Sequence, residues 1–125
     1  MKFNYIYGKQ AEQYDYLYIP KAFMKEELFK SMTASAKIMY AVLMEKQQKS
    51  VEMGWIDEKD HVFIMINPAE IGAELNWSKS DVVTATDELE KFGLAQIADK
   101  AEKDENMKLY LKRFVWKEEA TWVRK

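Results

Sequence analysis

The chain has 125 residues, enough for one domain with a single core. Its apolar fraction of 48% and aromatic fraction of 14% exclude a disordered chain, and the absence of cysteine excludes disulfides and thiolate metal sites. A net charge of −2 counts against a polyanion binder working by bulk charge, and the lack of a leader or a bilayer-length apolar run points to a soluble, cytoplasmic protein without membrane contact.

The first twenty residues, MKFNYIYGKQAEQYDYLYIP, carry aromatics at period two on either side of GKQAEQ. Phe3, Tyr5 and Tyr7 form one set and Tyr14, Tyr16 and Tyr18 the other, which predicts an N-terminal β-hairpin arm over residues 1–20. An isolated hairpin is marginal in water, so this arm must pack on its own domain or on a second copy. Six aromatics in so short a stretch suit a dimerisation arm.

Pro20 ends that segment. Residues 21–30 read as a short helix whose apolar contacts are Phe23, Leu28 and Phe29. Thr33 is placed to cap a longer helix over residues 34–50, where Ala36, Met39, Tyr40 and Leu43 form one stripe and Ile38 and Val42 a second. A helix so apolar is expected at the centre of its domain. Gly54 stops the pattern, DEKD forms a turn, and the apolar run at 62–66 reads as a strand that joins a later hairpin.

Asn67, Pro68 and Glu70 are a strong helix start, with Asn as cap, Pro at the first helical position and Glu three residues after the cap. Ile71 and Leu75 point inward from this short helix. Ser78 then caps a second helix, with Asp81 at the capping-box position, and Val82, Ala85, Leu89 and Phe92 on its inner face. Gly93 ends it. Residues 94–98 and 107–115 alternate as strands around the charged loop DKAEKDEN. Helix, tight turn, helix and hairpin in this order predict an α+β winged helix-turn-helix over residues 21–117, between the hairpin arm and a tail at 118–125.

In such a domain the second helix and the hairpin tip are the DNA-facing surfaces. Lys79, Ser80 and Thr84 supply a cation and hydroxyls near a helix N-terminus, which itself attracts phosphate. Lys91 shares the outward face, and Lys112, Arg113 and Lys117 can add a basic flank from the last strand. The count is otherwise acidic. Residues 78–92 hold two lysines against Asp81, Asp87, Glu88 and Glu90, and the loop at 98–106 holds Lys100 and Lys103 against four acids. A winged helix that contacts another protein, rather than DNA, is the alternative that these counts keep open. Enzyme chemistry is not expected, and neither a cofactor nor a metal. His61 stands alone in a turn, Gly72 in AEIGAEL lacks phosphate-loop spacing, and the eight methionines read mostly as packing.

Over residues 18–114 the sequence resembles the N-terminal domain of RepA-type plasmid replication initiators of Gram-positive bacteria. The matching pieces come in the family's order: IPKAF, Ser35-Ala36-Lys37 leading into a helix with Tyr40, GWIDEKDHVFI, EIGAELNWSK and ELEKFGL. The resemblance implies a winged helix that binds repeats in a plasmid origin, as a dimer, to start replication. It implies that Ser78, Lys79, Ser80 and Thr84 face DNA and that the loop with Lys100 and Lys103 is the wing. It also implies a further C-terminal domain, outside this chain, that engages host replication proteins.

Overall fold

The computed structural model describes residues 2–9, 16–99 and 106–112. Residues 22–47 begin with a short helix, α1 (Ala22–Lys25), a 3-10 turn (Glu27–Phe29) and the longest helix, α2 (Ala34–Gln47). One further turn of helix, α3 (Ser50–Met53), closes on Gly54, whose left-handed φ of 76° redirects the chain. Strand β1 (Ile64–Ile66) leads into α4 (Pro68–Leu75) and α5 (Lys79–Lys91), and the chain returns through β2 (Ala95–Asp99) and β3 (Met107–Leu111). The sheet is antiparallel throughout with order β1-β3-β2, so the last strand lies in the middle. Ile64 sits opposite Leu109, which lies opposite Ile97 on the other side. This is the α+β winged-helix architecture, and no helix among the described residues is long and apolar enough to cross a membrane.

The helix starts form as the sequence predicts. Thr33 accepts from the Ala36 N–H, Asn67 from those of Ala69 and Glu70, and Ser78 from that of Asp81. At the far end of α5, Gly93 takes a φ of 80°. The Leu94 N–H reaches the Leu89 carbonyl and the Gly93 N–H that of Glu90, the paired bonds of a Schellman cap. These local rules fix where α5 begins and ends.

The core lies between α2, α5 and the inner face of the sheet. Ala36, Met39, Tyr40, Val42 and Leu43 of α2 meet Val82, Ala85 and Leu89 of α5 and Ile64, Leu109 and Leu111 of the sheet, all buried. Phe23 and Phe29 close one side, with ring centroids 4.8 Å apart and Tyr40 5.1 Å from Phe23. The Tyr40 hydroxyl keeps a partner by donating to the Lys112 carbonyl at 3.2 Å. Thr86 is fully buried as well, and its hydroxyl returns to the Val82 carbonyl at 2.8 Å.

Four expectations need correction. No strand forms among the described residues of the arm. Lys2 to Tyr7 and Tyr16 to Pro20 lie outside any ladder, and Tyr14 lies outside the described residues. Period-two aromatics predict a strand only when one face is buried, and here Phe3, Tyr5, Tyr7, Tyr16 and Tyr18 are all exposed. The helix at 21–30 breaks at Glu26, which is extended at ψ 138°, so Leu28 turns outward and is 64% exposed. The long helix ends at Gln47 rather than at residue 50. The run at 62–66 forms a ladder only from Ile64, with Val62 in a single bridge to Ile56.

That bridge closes a loop held by Asp57. Its Oδ1 accepts from the Lys59 and His61 N–H groups at 2.9 and 2.8 Å, and its Oδ2 from the Tyr110 hydroxyl at 2.8 Å. The His61 backbone bond, followed by those from Tyr110 and Lys59, holds the Asp57 carboxyl below its ordinary value, while the bond to Asp57 raises the Tyr110 hydroxyl. A depressed carboxyl adds stability that is complete above its ordinary value and disappears as pH falls through the depressed one. The raised tyrosine works oppositely, with its share lost as pH rises through the raised value. Tyr110→Phe is therefore expected to move the Asp57 titration upward and to speed exchange of the His61 amide. NMR titration of this variant beside the wild type checks this, and identical Asp57 curves would contradict the link.

Candidate nucleic-acid interface

Two backbone devices place α5. Asn76 adopts the left-handed conformation at φ 59°, and the Trp77 N–H returns to the Gly72 carbonyl at 2.8 Å. The turn passes so close to α4 that a Cβ on Gly72 would lie 2.6 Å from the Trp77 carbonyl oxygen. Gly72, which carries no phosphate-loop chemistry, is thus the residue that lets the second helix leave the first at this angle. Trp77 packs half-buried against the core at the same point.

From that turn α5 exposes Ser78, Lys79, Ser80, Thr84 and Lys91. At about 100° per residue, Ser80, Thr84 and Lys91 fall on the side opposite the buried Val82, Ala85, Thr86 and Leu89, with Ser78 and Lys79 at the helix N-terminus. The structure therefore brings five of the expected residues onto one element. Lys112 is exposed where β3 ends, and its N–H donates to the Leu94 carbonyl at 2.7 Å, beside the end of α5. Lys100, Lys103 and Arg113 lie outside the described residues. Strands β2 and β3 pair antiparallel, with a register shift between Ile97 and Asp99 at the end of β2.

The acids of α5 behave differently from a count along the sequence. Glu88 accepts from both the N–H and the hydroxyl of Thr33, each at 2.7 Å, across 55 residues of chain. Glu90 accepts from the Ile97 N–H at 2.8 Å, satisfying a donor of edge strand β2. Asp87 shares the outward face with Thr84 and Lys91 but is half-buried, with its Oδ1 shielded from solvent. Asp81 stays exposed in the first turn, where an acid is favourable to the helix dipole. Two of the four carboxylates are thereby engaged with backbone of the same fold. No pattern in the sequence signals the Glu88 bond, because its partner lies in another helix cap.

A recess of about 280 Å³ runs along the same edge, lined by Thr33, Ser35, Trp77, Asp81, Thr84 and Glu88 among others. Among the described residues no three His, Cys, Asp or Glu side chains gather as metal ligands. What the face offers is hydrogen-bond donors and acceptors with cations at both ends of a helix, on a rigid, capped scaffold. That chemistry suits phosphate and base-edge contact.

Residues 15–124 match the family described as the replication initiator protein A (RepA) N-terminus. No curated protein matches the chain. Among solved structures, one described as the N-terminal domain of a DNA-binding protein is 24% identical. Its TM-score is 0.70, and the likeness covers 99% of this chain and 95% of that one. A Rep–DNA complex matches at 24% identity and TM-score 0.71, over 98% and 94% of the two chains. The structure of an MDR initiator matches at 22% identity and TM-score 0.70, over 97% and 96%. At these identities the three share its fold.

Proposed function

Since the chain belongs to the family of replication initiator protein A N-termini, we propose that it is the origin-binding domain of a plasmid replication initiator. It reads double-stranded origin repeats with α5. The observation that carries this reading is the exposed face of Ser78, Lys79, Ser80, Thr84 and Lys91, with Glu88 and Glu90 bonded into the fold. Lys100 and Lys103, in the segment that joins β2 to β3, with Lys112 just after β3 and Arg113 next to it in the sequence, are the further phosphate contacts. The domain does no chemistry of its own and acts in the cytoplasm. The likeness to a structure described as a Rep–DNA complex supports the same reading.

Selection of duplexes from a random library by the wild-type protein tests it. The expected result is enrichment of one motif, bound with an affinity that falls steeply as salt rises. A library that stays random after repeated rounds would sink the reading and favour a protein-contacting winged helix.

The initiator acts as a homodimer through its arm. Phe3, Tyr5 and Tyr18 are each at least 79% exposed, which leaves aromatic surface that a second copy can cover. The triple substitution Phe3→Ser, Tyr5→Ser, Tyr18→Ser is expected to shift sedimentation from dimer to monomer without changing the melting temperature. A wild type that sediments as a monomer at tens of micromolar would refute the arm's role.

A further inference from the structure

We infer that Glu88 is a positioning residue for DNA reading: it clamps α5 to the N-terminus of α2 through Thr33 and so sets the angle at which α5 meets a groove. The inference rests on the proposed DNA-binding role of α5 and adds to it a residue that contacts no DNA.

The clamp is unusual in its geometry. Thr33 is the cap of α2, and its hydroxyl oxygen already accepts from the Ala36 N–H at 3.1 Å. Its own N–H and its hydroxyl proton then both go to one carboxylate, at 2.7 Å each. Two charge-assisted bonds on one acceptor fix direction as well as distance, because neither helix can rotate without lengthening one of them. Below the clamp, α2 and α5 are held together by apolar contacts such as Leu43 and Leu89, which resist separation more than they resist sliding. Glu88 therefore supplies the directional part of the α2–α5 contact. It lies one turn along α5 from Thr84 and two turns from Asp81, and all three line the recess beside the reading face.

Charge makes the inference testable in a way that a merely electrostatic role would not satisfy. Removing an acid near a phosphate surface should, by charge alone, strengthen binding to any duplex. Loss of the clamp should do the opposite for the selected duplex, because base contacts need α5 at one angle while phosphate contacts do not. Glu88→Ala is expected to bind the selected duplex roughly tenfold more weakly, the scale of one lost base-pair contact, and to bind random duplex as well as wild type or better. Glu88→Gln removes the same charge but keeps an oxygen for Thr33, and it should retain most of the selected-duplex affinity. All three proteins are compared below their melting temperatures, with the salt dependence measured for each.

Selected-duplex affinity unchanged in a folded Glu88→Ala protein would overturn the clamp while leaving the DNA reading intact. An equal loss on selected and random duplexes would also overturn it. A Glu88→Ala protein that fails to fold leaves the decision to Glu88→Gln. With that variant, selected binding close to that of wild type supports a positioned acceptor, and a loss as large as tenfold overturns the clamp. Failure of the wild type to enrich any duplex is a different outcome, and it removes the DNA reading itself.

Discussion

Gly72→Val should destabilise the fold by about 3 kcal/mol, the upper end of what overpacking a tight site costs. The Cβ alone would stand 2.6 Å from the Trp77 carbonyl oxygen, and that oxygen belongs to backbone rather than to the end of a flexible side chain. Relief requires α4 and the turn to separate. Separation stretches the 2.8 Å bond from the Trp77 N–H to the Gly72 carbonyl and moves Ser78, the cap of α5. A β-branched side chain adds its own crowding within a helix. The expected fall in Tm is roughly 10 °C for a domain of this size. Gly72→Ala, with the same first atom, should lie between the two. A valine variant melting within a degree or two of wild type would contradict the close approach of turn to helix.

The second large effect concerns binding rather than stability. Reversing both lysines of α5, Lys79→Glu with Lys91→Glu, should weaken binding to selected and random duplexes alike by roughly two orders of magnitude at low salt. It should also flatten the salt dependence by about two units of logarithmic slope. Both side chains are exposed and neither belongs to the core, so thermal stability should change little. Lys91 in the last turn of α5 favours the helix dipole, and its reversal there costs a few tenths of a kcal/mol at about the scale of a surface pair. Weak binding with a lower slope would implicate phosphate contacts. Unchanged binding would move the interface off α5 altogether. The same measurement on Glu88→Ala separates a contact residue from a positioning one, because only the lysines should alter the slope.

Much of the architecture is legible in the chain because it is encoded locally. Thr33, Asn67 and Ser78 are cap residues followed by apolar periodicity, and all three caps form as expected. Gly93 marks the end of α5 for the same reason: its left-handed φ costs no Cβ clash. The inner face of α5 is legible from the 3.6-residue period, except at Thr86. Its polarity suggests surface until the bond to the Val82 carbonyl is seen. The arm misleads because alternation reports a face without reporting whether anything covers it. Leu28 misleads because a single extended residue, Glu26, resets the helical phase.

The candidate site is less legible, and the reason is tertiary. Ser78, Lys79, Ser80, Thr84 and Lys91 can be assigned to an outward face by counting along one helix. The charge of that face cannot, because Glu88 is engaged by a residue 55 positions away and Glu90 by a donor on the next strand. Counting residues 78–92 gives a net of −2, yet the acids contributing to that number point in different directions. The family likeness at 15–124 and the exposed hydroxyls favour DNA where bulk charge does not.

The most direct measurement is a residue-by-residue map of amide chemical shifts as the selected duplex is added to the labelled protein. The account predicts that the largest changes fall on Ser78, Lys79, Ser80, Thr84 and Lys91, with a second group at Lys100 and Lys103, while α3 and the Asp57 loop stay still. Changes confined to the arm or to α1 and α3, with α5 silent at saturation, would contradict it.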